Sequence, residues 1–315
     1  MQTAAVSSVT FSSHNFQDFV DKIAQSSHKL ALVLLDIDDT SIFSGSPDVN
    51  YLGGLKWRDL SRKMIDTLKK EGLIGQNDQI FENITLFISL IVYLAAVETL
   101  IPDAVKNLKS KYRCHVMAFT ARGSSGLKAW YNKEIAGVAE LTASQFSRAR
   151  IELSYIGKEI LHPNVYNNAY IFCQNEPKEK ILEDLIDKKV VDLNEVDLIA
   201  YADDKSVLEV EKVAKKHNVN FIGFNYTAVV QREAKEFDLL KSTLQLLRLF
   251  EKGVVLPQSE VQVRSSEVLM AGITPEDHFK AALIQLNDKF KTHGLYRKFE
   301  TVQEYFSAVI ATIKY

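Results

Sequence analysis

The chain has little cysteine. Its 315 residues hold two, Cys114 and Cys173, and each lies in an apolar run that reads as a core strand. Buried thiols in a reducing compartment are the simple reading. The scarcity also excludes one chemistry. A cysteine-dependent tyrosine phosphatase needs arginine six residues after its cysteine, and those positions hold Thr120 and Glu179. Any phosphatase activity must therefore use aspartate. A charge excess is missing as well. The formal net charge of −2 lacks the basic surplus of an electrostatic nucleic-acid binder, so no nucleic-acid partner is expected. Long apolar runs are absent too. The longest, Leu86 to Val97, is too short to span a bilayer and is followed by Glu98; it reads as a buried helix. Met1 to Ser13 has neither a basic n-region nor an apolar h-region, so no secretory signal peptide is expected. No internal repeat or low-complexity tract occurs. A soluble protein follows, with export by machinery that needs no N-terminal signal left open.

What the chain does have is enough apolar residue, 46%, for a real core, and a length that fits one large domain or two ordinary ones. Its most informative stretch is Leu32-Val33-Leu34-Leu35-Asp36-Ile37-Asp38-Asp39-Thr40. The apolar part reads as a buried parallel strand. Three carboxylates follow at its carboxyl end, where open α/β sheets bind ligands. Unpaired buried carboxylates are costly, and a hard cation such as Mg²⁺ is the usual remedy. Asp36 and Asp38 are two residues apart, so along an extended chain they point the same way. One suits a nucleophile and the other a proton donor and acceptor. A calcium loop of EF-hand spacing is excluded, because its sixth and twelfth positions would be Ser41 and Pro47.

Three more segments share this design. His115 to Thr120 is a second apolar strand, ending in a hydroxyl and followed by Arg122 and the Gly123-Ser124-Ser125-Gly126 turn. Val196 to Ala202 is a third, ending in the pair Asp203-Asp204, which would repel strongly without a cation. Between them, Tyr170 to Leu182 carries Lys178 at a helix start, with Lys180 as the fallback.

Taken together, these four segments resemble the motifs of the haloacid dehalogenase (HAD) phosphohydrolases. The resemblance covers about Lys29 to Tyr226. It implies an α/β fold with a Rossmann-like parallel sheet, a helical cap insertion and, beyond the core, an all-helical C-terminal extension. Asp36 would become transiently phosphorylated, and Asp38 would be the general acid/base. Thr120 and Lys178 would hold the transferring phosphoryl group. Mg²⁺ would be held by Asp36, the Asp38 backbone carbonyl and Asp203, with Asp204 assisting. The Thr-Ala-Arg-Gly, Asp-Asp-Lys and Asn-Tyr-Thr details are similar to a HAD subgroup of tyrosine-phosphatase effectors from intracellular bacterial pathogens. That likeness implies phosphotyrosine protein as substrate and the host cytosol as the place of action.

The expected core spans residues 1–226, with the cap insertion at about 44–105. About seventy residues separate the first two motifs, more than a crossover helix needs. They comprise a polar opening, a helix from Arg58 to about Lys70, and the apolar helix from Ile80 to about Leu100. Tyr51, Trp57 and Arg58 stand at its entry and could contact substrate, with packing for Trp57 and a solvated helix start for Arg58 at least as good a reading. Arg122, Arg148 and Arg150 are candidate anion ligands, Arg122 best placed. Residues 227–315 form the C-terminal part: a long amphipathic helix from Val229 to Glu251, one from Thr274 to about Thr292, and a last one opened by the capping box Thr301 to Glu304. Lys289, Lys291, His293, Arg297 and Lys298 surround Leu295, Tyr296 and Phe299, a pattern that suits an anionic lipid headgroup.

The function expected is a Mg²⁺-dependent phosphomonoesterase, with phosphotyrosine protein as first substrate. A small-metabolite phosphatase or phosphomutase is one alternative. A binding protein on the same scaffold, acting on lipid or a partner through its C-terminal helices, is another.

Overall fold

Five consecutive apolar residues leave a strand no polar face, so both of its faces must be covered. In a computed structural model of the protein, that strand lies in the middle of a seven-stranded sheet with helices on both sides. The structure describes residues 6–44, 54–70, 94–124, 137–154, 159–205, 207–238, 241, 242 and 245.

The strands are β1 (Ser8–Ser13), β2 (Ala31–Leu35), β3 (Ile42–Ser44), β4 (Leu94–Ala96), β5 (Cys114–Thr120), β6 (Val165–Tyr166), β7 (Tyr170–Phe172), β8 (Leu198–Asp203) and β9 (Asn220–Tyr226). Seven of them form one sheet in the order β1-β9-β8-β2-β5-β7-β6, while β3 and β4 pair separately. Every pairing in the large sheet is parallel except β6 with β7. The described helices are α1 (Phe16–Gln25), α2 (Leu55–Lys70), α3 (Ile101–Lys111), α4 (Val138–Arg148), α5 (Lys178–Asp187), α6 (Leu208–Lys216) and α7 (Ala228–Glu236). The α/β class expected from the sequence is therefore present.

Side chains alternate across the sheet, as strand geometry requires. Val33 and Leu35 join Val116, Ala118 and Ala200 in a core closed by α1, α3 and α4. Leu32 and Leu34 join Phe119, Ile199 and Tyr201 in a second core closed by α5 and α6. Both cysteines are buried and unbridged.

The order of the strands places the functional edge. From central β2 the chain goes outward to β5 and β7 on one side, and to β8 and β9 on the other. Such a reversal opens a crevice at the carboxyl edge. Leu35 aligns with Ala118 and with Ala202, so the residues just past all three strands meet at that edge.

Several expectations change here. The N-terminal segment, read only for targeting signals, forms β1 and α1, with Phe11 packed on Phe224 at 5.1 Å. The apolar helix expected up to Leu100 does not reach that far. Leu94–Ala96 is strand β4, and Val97 donates to the Ser41 carbonyl at 3.2 Å, so pairing with the chain after β2 replaces the helical bonds. The long helix expected from Val229 stops at Glu236. Asp238 ends it by capping a new turn, its carboxylate accepting from the Lys241 amide at 3.0 Å.

Contacts divide the chain into two compact units. One comprises Met1–Phe43, Leu94–Ala129 and Glu134–Arg232; the other comprises Ser44–Tyr93, Trp130–Lys133 and Glu233–Tyr315. Of the expected cap, the second unit's described part holds α2, in which Trp57 is fully buried. Tyr51, residues 71–93, the helices expected after Thr274 and the basic loop around Lys289 to Lys298 lie outside the described residues. Among the described residues no helix is long and apolar enough to cross a membrane.

Candidate functional site

The strand ends at Leu35, and the next residues turn sharply. Ser41 and Ile42 both donate their amides to the Ile37 carbonyl, at 3.1 and 3.0 Å. The Ser41 hydroxyl donates to the Asp36 carbonyl at 2.6 Å. Asp39 takes the left-handed conformation, φ 63°, a region that aspartate tolerates better than most residues. The common direction expected for Asp36 and Asp38 assumed an extended chain; the turn removes that basis. Asp36 is tucked in, and Asp38 faces outward, with side chains 11% and 37% exposed.

Asp36 continues the ladder, its amide donating to the Ala202 carbonyl at 2.9 Å. That bond brings it beside Asp203 and Asp204. Lys178 reaches the same point from the other side of the sheet. After β7 the chain is pinned to the end of β5: Cys173, Gln174 and Asn175 donate to the carbonyls of Thr120, Arg122 and Ala121 at 2.8, 3.1 and 3.0 Å. Gln174 and Asn175 both adopt positive φ, and Lys178 opens α5 directly after Pro177. Its ammonium donates to Asp36 at 2.6 Å, to Asp203 at 3.0 Å and to the Tyr201 hydroxyl. It lies 5.1 Å from the Tyr201 ring centroid and 5.8 Å from that of Phe119. Lys180, the fallback, pairs instead with Glu176 on the exposed face of α5.

Tyr201 was missed by sequence reasoning. Its hydroxyl donates to Asp203. The signal was present: Tyr201 precedes Asp203 by two residues in β8, so the two share a face.

Asp38 belongs to a second cluster. Arg122 grips it with two bonds, Nη2 to Oδ1 at 2.6 Å and Nε to Oδ2 at 2.9 Å. The remaining terminal nitrogen of Arg122 is held by Thr142 at 3.1 Å and Gln145 at 2.9 Å, both buried on α4. Thr120, 2% exposed, accepts from the Arg122 amide at 3.2 Å. Arg148 and Arg150 are exposed on the surface.

Burial and charge set the protonation pattern. Burial first, then Asp203, pushes Asp36 up to about 6, although Lys178 opposes the shift. Burial followed by Asp36 and Asp203 pushes Asp204 up to about 8. Burial also works against the Asp203 carboxylate, but Lys178 and the Tyr201 hydroxyl outweigh it and hold Asp203 below the usual range. Lys178 is buried too, yet Asp36 and Asp203 keep it above its ordinary value.

The residues present fit a hard divalent cation. Asp36, Asp203 and Asp204 each offer an oxygen, and the three atoms lie within 4.8 Å of one another. Asp204 Oδ2 is buried without a hydrogen-bond partner, a costly state for a carboxylate. An all-oxygen set suits Mg²⁺. The Asp38 carboxylate is taken by Arg122 and does not join this trio of side chains.

Comparison with known proteins gives the lineage. Residues 12–256 match the family model described as protein of unknown function, DUF2608. The chain belongs to that family. No curated protein and no solved structure matches it. The HAD membership expected from the motifs is thereby corrected, and the effector subgroup falls with it. The reason is physical. A parallel sheet gathers polar residues at its carboxyl edge whatever its ancestry, so a few carboxylates, a threonine and a lysine there describe a site and not a lineage.

Proposed function

We propose that this member of the DUF2608 family is a Mg²⁺-dependent phosphomonoesterase that works through an aspartyl phosphate on Asp36. The observation that carries the reading is the Lys178 ammonium held between Asp36 and Asp203, with the partnerless Asp204 oxygen beside them. A structural ion pair needs one carboxylate per ammonium. Here acid is in excess at the edge where sheets of this kind bind ligands, which suits a bound cation and a phosphoryl group.

Asp36, Asp203 and Asp204 would hold the cation. When bound, Mg²⁺ supplies charge neutralisation for phosphoryl oxygens. The chain's own residues do the rest. The Asp36 carboxylate attacks phosphorus, the bond to the leaving oxygen breaks, and Asp38 gives that oxygen its proton. Asp38, now a carboxylate, takes a proton from water as the water oxygen attacks phosphorus. The bond between phosphorus and Asp36 breaks, releasing inorganic phosphate and restoring both aspartates. Lys178 stabilises the charge gathering on the transferring group, and it keeps Asp36 available as an anion. Thr120 ends the neighbouring strand, where its hydroxyl is suited to the same group.

Phosphotyrosine as substrate rested on the overturned likeness, and no residue of the site argues for it, so the proposal is limited to phosphomonoesters. The test is hydrolysis of an aryl phosphate by purified protein with and without Mg²⁺, beside Asp36→Asn. Turnover that needs Mg²⁺ and drops at least about a thousandfold in the variant is expected. A folded wild-type protein with no turnover on aryl, sugar or nucleotide phosphates would sink the reading.

A further inference from the structure

Asp38 is the most exposed acid among the paired carboxylates of the edge, and a bidentate guanidinium holds it. The guanidinium has its own anchor. Thr142 is fully buried and Gln145 is 4% exposed, and both place their oxygens on the Arg122 nitrogen that Asp38 does not use. Two polar side chains buried on one face of α4 need a reason, since burial of such groups is tolerated only with a partner. Arg122 is that partner. The Arg122 amide is fastened as well, to Thr120, and its carbonyl accepts from Gln174 at 3.1 Å. Backbone and side chain of this residue are thus fixed by three different elements.

We infer that Arg122 is the positioning residue for the acid/base Asp38, and that α4 sets its aim through Thr142 and Gln145. The inference rests on the reading of Asp38 as proton donor in phosphoester cleavage. A fork that binds both carboxyl oxygens fixes the plane and direction of the carboxyl group, which a single ammonium does not. One oxygen stays on the fork while the other leaves it, takes up a proton from solvent and turns to the leaving oxygen. The rival role, an anion ligand, is disfavoured because every terminal nitrogen of Arg122 already has a protein oxygen.

Leaving-group dependence separates the roles. A good leaving group such as p-nitrophenolate departs with little help from an acid, whereas an alkoxide needs the proton. Arg122→Lys and Arg122→Gln are measured beside the wild type on p-nitrophenyl phosphate and on an alkyl phosphate, with Mg²⁺ present. Expected is a loss of about a hundredfold in kcat/KM on the alkyl ester and less than about threefold on the aryl ester, since kcat/KM reports departure of the leaving group and not the later attack of water, in which Asp38 serves both esters alike. The ratio of the two rates comes from one sample, so any misfolded fraction cancels. Thr142→Val combined with Gln145→Leu keeps the guanidinium and removes its anchor; it should show the same selective loss at smaller size. Equal losses on both esters, or a rise in KM with no change in the ratio, would overturn the inference and leave the phosphatase reading standing. No turnover by the folded wild type overturns both.

Discussion

Lys178 and Lys180 sit two residues apart on one helix, yet only one of them is buried among acids. Removing the Lys178 ammonium strips Asp36 and Asp203 of their shared partner. Breaking a buried pair by deleting one member leaves an uncompensated charge, and the loss in such cases is about 3–5 kcal/mol. Lys178→Met should therefore lower stability by roughly that amount in urea unfolding without metal, and added Mg²⁺ should recover part of it. Lys180→Ala touches an exposed pair with Glu176 and should stay within about 0.5 kcal/mol of the wild type. Activity should follow the same split, lost in the first and kept in the second; the reverse would place the site elsewhere. At this scale much of the site was legible. Asp36, Lys178, Asp203 and Asp204 meet as their positions after strands suggest. The Arg122 partners were not legible. Thr142 and Gln145 are spaced to share a helix face, but nothing in the sequence says that this face meets a residue twenty positions upstream.

Elements were readable where burial is complete and hidden where it is partial. β2, β5 and β8 are apolar runs buried on both faces, and each leaves a signal that no loop would produce. β1 is an edge strand of alternating exposed and half-buried residues, Ser8 to Ser13, and its serines disguise it. β4 has three residues, all half-buried, too few for a period to show. The parallel pairing of β1 with β9 is possible because the chain offers a close approach at Gly223. A methyl group there would stand 2.6 Å from the Thr10 hydroxyl, 2.7 Å from a Val207 methyl and 2.8 Å from the Phe221 ring. All three are side-chain atoms, but Val207 and Phe221 are buried on the second core face and have little room to move. Gly223→Ala should thus cost about 1–3 kcal/mol, the range for overpacking, measured as a lower urea midpoint at unchanged slope. An unchanged midpoint would mean that β1 yields easily.

Over the whole molecule, the acidic edge makes stability depend on pH and on metal in a coupled way. Asp204 has a folded value of about 8 against an ordinary 3.8, and Asp36 about 6 against 3.8. Between those limits the folded chain holds protons that the unfolded chain has released, so folding stability falls as pH rises. Asp203 runs the other way, being held low, but its contribution is complete above its ordinary 3.8 and stays constant near neutrality. Lys178, held high, contributes fully below its ordinary 10.5 and is constant there too. The metal-free protein should therefore lose thermal stability between about pH 6.5 and about pH 8. A divalent cation must displace the Asp204 proton to bind, so Mg²⁺ should raise Tm more at the upper pH than at the lower. Scanning calorimetry at both pH values, with Mg²⁺ and with chelator, measures this directly. Asp204→Asn, which has no proton to lose, should flatten the pH dependence of the metal-free protein and reduce the Mg²⁺ shift at both values. A Mg²⁺ shift that is equal at the two pH values in the wild type would mean that the cation does not engage Asp204, and the ligand set would have to be drawn from Asp36 and Asp203 alone.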